Sequence, residues 1–205
     1  MNIDIVINVD EALEYARARL ARLEKKAPQA VRTALNNAAK EIKKADEKTA
    51  KATYTDTSDL HSLKTDKAST SNLQVVLRDR GGAVGITHFK PRIGTRGITA
   101  TINKNNGSKL IVHKSGNKAF FPGMISGHKY GKRYSKKKVT AGYLRNGGAT
   151  IVGRKSSKRL PIEKINSLSS PSAHGSPDVW NKVEPGGRQV LYKHLEKEIE
   201  RILSL

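Results

Sequence analysis

No aspartate or glutamate occurs between Arg80 and Ile162, a span of 83 residues that carries 19 lysines and arginines. The 79 residues before it hold 14 basic and 12 acidic side chains, and the 43 after it hold 6 of each, so 19 of the chain's 21 net positive charges fall in its middle. A solvated surface ordinarily mixes signs. One this one-sided repels itself unless an anionic partner faces it. The obvious polyanion is nucleic acid, which the segment could either recognise or merely enclose.

Size and composition narrow what the flanks can build. The 205 residues fit one generous domain, with a hydrophobic share of 36% and ten aromatic residues. That supports one modest core, not a core that uses every segment, so long parts of the middle should be loops or should order against a partner. The chain has no cysteine, which excludes disulfides and thiolate metal sites and fits assembly in a reducing cytoplasm. Met1-Asn2-Ile3-Asp4 lacks the basic start and apolar run of a signal peptide. No apolar run approaches the roughly 20 residues of a membrane span. The expectation is a soluble protein, intracellular when made, with no membrane partner.

Periodicity places the elements. Ile3, Ile5, Ile7 and Val9 alternate with Asp4, Val6 and Asn8, predicting a strand with one buried face. Asp10 suits a helix N-cap, and Leu13, Ala16, Leu20 and Leu23 recur at helical spacing to about Lys25. Pro28 suits the first turn of a second helix, whose stripe of Val31, Leu35, Ala38, Ile42 and Ala45 runs to roughly Ala52. Its other face, with Arg32, Lys40, Glu41, Lys44, Glu47 and Lys48, reads as solvated. Leu60 and Leu63 look like anchors of a short helical turn. Leu73, Val75 and Leu77 predict a strand, which Gly81-Gly82 breaks before a short continuation over Ala83 to Ile86. Asn105-Asn106-Gly107 predicts a hairpin joining Ile98–Ile102 to Lys109–His113. Ala119-Phe120-Phe121 and Thr150–Gly153 read as further strands, the latter as the last. Between Gly123 and Gly148 no periodicity survives, and the segment reads as a long exposed basic loop. Ser167 to Pro177 reads as a Ser/Pro linker, and a helix follows from about Pro185 with Val190, Leu191, Leu195, Ile199 and Ile202 on its apolar face. The expected class is α+β, a mostly antiparallel sheet packed by two N-terminal helices and a C-terminal helix, with a long basic loop. It is expected as a single domain over 1–205, with strand and helices in 1–53, basic sheet and loop in 73–153, a linker over 154–184 and the closing helix in 185–205.

Catalytic patterns are missing. His61, His88, His113, His128, His174 and His194 show neither the i, i+4 spacing of a helical zinc site nor carboxylates beside them in a metal-ligand pattern, and read as ordinary loop or surface histidines. There is no phosphate-binding loop, and Gly81-Gly82-Ala83-Val84-Gly85 has the wrong spacing for a dinucleotide fingerprint. Nucleases and glycosidases need clustered carboxylates, which the basic region lacks. A site could be built only from the flanks, for example from Asp56, Asp59 and Asp66 in a Thr/Ser-rich stretch. No catalytic residue, metal ligand or cofactor is expected.

The densest cationic run is Lys129-Tyr130-Gly131-Lys132-Arg133-Tyr134-Ser135-Lys136-Lys137-Lys138. Lys129, Lys132, Arg133, Lys136, Lys137 and Lys138 suit phosphate contacts, and Tyr130 and Tyr134 suit base stacking. No base-reading module accompanies them. Sequence-specific recognition, non-specific backbone contact, a flexible soluble loop, and a loop that docks on an acidic protein neighbour all remain open at this point.

Several segments together resemble the minor tail protein Z family of tailed bacteriophages, the lambda-type tail completion proteins. They are Ala27-Pro28-Gln29-Ala30-Val31, Ala34–Ala39, Lys51–Tyr54, Leu73-Gln74-Val75, Gly85–Pro91, Ala119–Met124 with Gly127-His128, and Arg159–Ile165 with Ser170-Pro171-Ser172. The chain departs from the family pattern at Ala173-His174-Gly175, where an apolar residue and another proline are expected. The resemblance implies a structural virion protein at the head-proximal end of the tail, assembled in the host cytoplasm. It also implies a homo-oligomeric, sixfold ring around the DNA channel. The implied partners are the tail terminator or tail tube, the head connector proteins and the packaged DNA. No catalytic residues come with it. The alternative is a non-specific cytoplasmic nucleic-acid-binding protein using the same loop.

Overall fold

The computed structural model describes residues 2–7, 10–55, 60–89, 91–94, 96–120, 151–158 and 160–204. The fold is α+β, and every strand pair among the described residues is antiparallel. The chain forms two compact units, one from Met1–Ala50, Leu60–Gly81 and Ser170–Leu205, the other from Lys51–Asp59 and Gly82–Ser169.

The first unit contains β1 (Asn2–Ile7), α1 (Asp10–Leu20), a 3-10 segment (Ala21–Lys26) and α2 (Ala27–Thr53, whose last turn belongs to the second unit). It continues with β2 (Lys64–Asp66), β3 (Val75–Arg80), α3 (Ser170–His174) and α4 (Pro177–Leu203). The sheet order is β1-β3-β2. Ile5 pairs with Leu77 and both are buried, as alternation predicts. On the opposite face Arg78 reaches Asp66 at 2.7 Å and Asp4 at 3.9 Å. The small side chains Ala27, Ala30, Ala34, Ala38 and Ala39 of α2 are all fully buried, so neighbouring backbone can approach closely. Two details of the expected α2 stripe change. Ala45 is exposed, and Asp46, one turn beyond Ile42, is the residue that the helix buries.

The C-terminal helix starts at Pro177, eight residues before the expected Pro185, which lies inside it. An interior proline forfeits one helical hydrogen bond, and Gly186 and Gly187 are poor helix formers, together costing about 5 kcal/mol. Burial of Val179 and Val183, each contributing about 1.5–3 kcal/mol, offsets this and extends the apolar stripe through Leu191 and Leu195 to Ile202. The Ser/Pro stretch before it is not a linker either. It forms β10 (Asn166–Ser169) and α3, because β10 pairs with β4 (Ala83–Gly85), about eighty residues earlier in the chain. Leu63 is buried as an anchor, but its segment leads into β2, and no helical turn forms there.

Among the described residues the second unit is built of short antiparallel strands in three small sheets joined by isolated bridges. After β4 come β5 (Arg92–Gly94), β6 (Gly97–Ala100) and β7 (Lys109–Leu110), in order β5-β6-β7. The hairpin at Asn105-Asn106-Gly107 forms as expected, with Gly107 at φ +63° and Thr99 opposite Leu110. Bridges Val112↔Lys118 and Phe120↔Val152 carry the pairing on to β8 (Val152–Arg154), which pairs with β9 (Ile162–Lys164). β8 is therefore not the last strand. Ile165 N–H then donates to Ile151 and Ile86 N–H to Ile165, linking β8 through β9 and β10 back to β4. The inward residues Ile98, Ile111, Ala119, Ile151 and Ile165, with Ile86 and Phe89, make one small core.

Gly153 sits against this core at its tightest point. A Cβ there would lie 2.5 Å from His113 Cβ. Gly153→Ala should therefore destabilise the chain by about 1–3 kcal/mol through overpacking, read as a lowered denaturation midpoint. A midpoint equal to wild type would mean that the β8 backbone is free to move away.

Candidate nucleic-acid interface

The six loop cations expected to face DNA (Lys129, Lys132, Arg133, Lys136, Lys137 and Lys138) lie outside the described residues, as do Tyr130, Tyr134, Asp56 and Asp59. What the structure adds is where the rest of the charge sits. By sequence, the second unit holds 20 lysines and arginines against 3 carboxylates, Asp56, Asp59 and Glu163, while the first holds 19 against 15.

The pleat sorts these charges. Arg92 pairs with Thr99, which pairs with Leu110. Val112 pairs with Lys118, Val152 with both Phe120 and Lys164, and Arg154 with Ile162. Directly opposed residues share a face, and these alternate with the inward core residues. The outer face therefore carries exposed Arg92, Lys118 and Lys164 and half-buried Arg154, with exposed Leu110, Val112 and Ile162 between them, while Val152 on the same face is buried. Cation stems lie along neighbouring strands. A Cβ at Gly97 would touch Leu110 at 3.1 Å and Lys118 Cδ at 4.0 Å, and one at Gly85 would meet Lys164 Cε at 3.2 Å. Arg154 stacks its guanidinium 5.3 Å from the Phe120 ring centroid, and its Nε has no acceptor among the described residues.

Glu163 is the one carboxylate of this unit among the described residues, and alternation turns it the other way. It opposes Gly153, on the face of buried His113. Ser115 N–H donates to His113 Nδ1 at 3.2 Å, which leaves Nε2–H to donate to Glu163 at 3.3 Å. Lys155 and Lys114 stand 3.5 and 4.0 Å from the same carboxylate oxygen. The His113 hydrogen bond, then Lys114 and Lys155, hold the Glu163 carboxyl below its ordinary pKa. Its charge is thus matched locally, off the outer face.

The first unit contains a second polar constellation, built from Asp46 on α2, His61, Asp79 on β3, and Ser170 and His174 on α3. His174 and Asp46 are 1% and 0% exposed, which corrects the expectation of ordinary loop or surface histidines. His174 Nδ1 meets Asp46 Oδ2, and Nε2 meets the His61 carbonyl at 3.0 Å. A carboxylate and a carbonyl can both accept, so the arrangement favours the doubly protonated imidazolium. Burial alone pushes the His174 pKa down. The Asp46 hydrogen bond and charge, the His61 carbonyl and the Asp79 carboxylate outweigh burial and raise it. Ser170 Oγ donates to Asp79 and accepts from His61 N–H at 2.9 Å, and His61 Nδ1 lies 3.3 Å from Asp79 Oδ1. Neither nitrogen of His174 is left to take a proton from a substrate, so the group acts as a clamp between segments. Among the described residues no set of three His, Cys, Asp or Glu side chains is placed to hold a metal ion, and no helix is long and apolar enough to cross a membrane.

One sequence signal points at this clamp: Asp46 falls on the α2 stripe at the i+4 position from Ile42. Glu163 needs only the β9 alternation to be placed.

An unfolded imidazole titrates near about 6.5, and folded His174 titrates above its ordinary value. The stabilisation is therefore fully present below about pH 6.5 and is lost as pH rises through the folded pKa. Unfolding free energy from urea titrations should fall over that interval. Asp46→Asn should remove much of the slope and cost about 3–5 kcal/mol at the acidic end; a slope unchanged by the substitution would assign it to another group. In comparisons with known proteins, no family model, no curated protein and no solved structure matches the chain.

Proposed function

We propose that this chain is a structural tail completion or head–tail joining protein of a tailed bacteriophage. In this reading copies form a ring around the DNA channel at the head-proximal end of the tail, between the tail terminator or tube and the head connector. The chain has no catalytic task and needs no cofactor. The observation that supports it best is the coincidence of the acid-free stretch with one compact unit whose described outer sheet face is cationic. A wall that DNA slides past must attract phosphates without gripping one sequence, and an acid-free cationic surface does this. The resemblance along most of the chain supplies the position in the particle.

Electron microscopy of virions carrying a labelled copy tests the placement: label at the head–tail junction is the expected result. Label at the distal tip or in the capsid overturns it. Absence of the protein from purified virions, with nucleic acid bound in the cytoplasm, would favour a non-specific nucleic-acid-binding protein.

The loop has its own test. Lys136→Ser, Lys137→Ser and Lys138→Ser together should leave the denaturation midpoint nearly unchanged, weaken duplex DNA binding and flatten its salt dependence. Unchanged binding at low salt would remove these lysines from the interface.

A further inference from the structure

We infer that the outer face of the second unit's strands is itself a phosphate-tracking surface for duplex DNA, built from residues other than 129–138 and indifferent to sequence. The inference rests on the nucleic-acid reading above and assigns it a surface.

Three observations converge. First, Lys118, Arg154 and Lys164 stand on successive strands of one face, with Arg92 further across it. Strands lie about 4.7–4.9 Å apart, so cations one or two strands apart repeat at about 5–10 Å. That is roughly one and a half to three nucleotide rises of about 3.4 Å. Second, the pleat turns the unit's one described acid away from the face. Ile162 and Lys164 point outward, and Glu163 between them turns to His113, Lys114 and Lys155. Third, exposed aliphatic side chains lie between the cations: Leu110 is 40% exposed, Val112 48% and Ile162 41%. They suit the apolar edges of deoxyribose, while the charges meet phosphate.

Three of the four cations on this face are also held against the strands, which disfavours base reading. Arg154, which could fork onto a guanine, is held over the Phe120 ring, and Lys118 and Lys164 lie along Gly97 and Gly85. Contacts of this kind position a duplex and carry no sequence information. Being mounted on hydrogen-bonded strands, they keep a fixed spacing.

The test uses the full chain, a fluorescein-labelled mixed-sequence duplex and anisotropy titrations over a range of salt. Lys118, Ile162 and Lys164 are all exposed, so their substitution leaves the core intact, checked by the denaturation midpoint. Lys118→Gln with Lys164→Gln should weaken binding and reduce the log–log salt slope by about 0.9 per cation removed. Ile162→Glu, which puts a carboxylate on the face, should weaken binding at least tenfold. Glu163→Gln, one residue along but on the other face, should leave the salt slope unchanged. A second duplex of unrelated sequence should give the same affinity within about twofold.

If the face variants bind like wild type and only the loop triple variant loses affinity, the inference fails and the nucleic-acid reading stands. If wild type does not bind duplex at low salt, both fall. If the face variants lose affinity for a poly-glutamate peptide but keep wild-type affinity for the duplex, the face takes acidic protein instead and the inference is overturned. Equal effects of Ile162→Glu and Glu163→Gln would overturn the assignment of faces.

Discussion

Like-charge repulsion is the constraint under which the second unit folds. Twenty basic side chains against three acids must be held in one compact body by a core of small and medium aliphatic residues. Short antiparallel strands suit this task. Each strand spends one or two residues on the core and sends the next ones to solvent, where ions screen them over about 8 Å at physiological salt. Lys118, Arg154 and Lys164 lay their stems on Gly97, Phe120 and Gly85, so methylene and ring surface is covered while the charges remain in water. The single described acid, Glu163, is surrounded by three basic groups on the other side of the pleat. What remains on the outer face is unbalanced, and its balance must come from outside the unit.

The first unit solves a different problem. Its charges nearly cancel, and its helices bury a long apolar stripe. Its least expected feature is a buried ion pair. Removing an imidazolium and a carboxylate from water costs several kcal/mol per ion, so such a pair stabilises only when its geometry and remaining hydrogen bonds are good. Here Asp46, His61, Asp79, Ser170 and His174 come from four separate stretches of chain and interlock through polar contacts. An apolar contact tolerates sliding; this group fixes which turn of α2 meets α3 and β3. One carboxylate oxygen, Asp46 Oδ1, has no partner among the described residues, so the clamp is not fully satisfied.

Much of the architecture was legible. The β1 alternation, the α1–α2 sequence with Pro28 in the first turn, the strand before Gly81-Gly82 and the Asn-Gly hairpin follow from local periodicity and turn chemistry, and all are present. The misses share a cause. β10 has no local pattern strong enough to announce it and exists because β4 offers it a partner. α4 runs through Pro185-Gly186-Gly187 because Val179 and Val183 find a core on the near side of that break. His174 looked like a loop residue because its partners lie at 46, 61 and 79, out of reach of any local rule.

Composition and order along the chain determined the class, the charge segregation and the absence of cysteine chemistry, because these depend on counts and on short-range spacing. The tertiary structure decided which charges share a surface and which are paired. A strand's alternation gives two faces but does not say which neighbour shares each one. Only the β8–β9 register sends Glu163 to His113 and leaves Ile162 and Lys164 outside. Only the packing of α3 against α2 turns an aspartate and a histidine 128 residues apart into a buried ion pair. Both are long-range pairings, whose free energy depends on partners that no local window of the sequence contains.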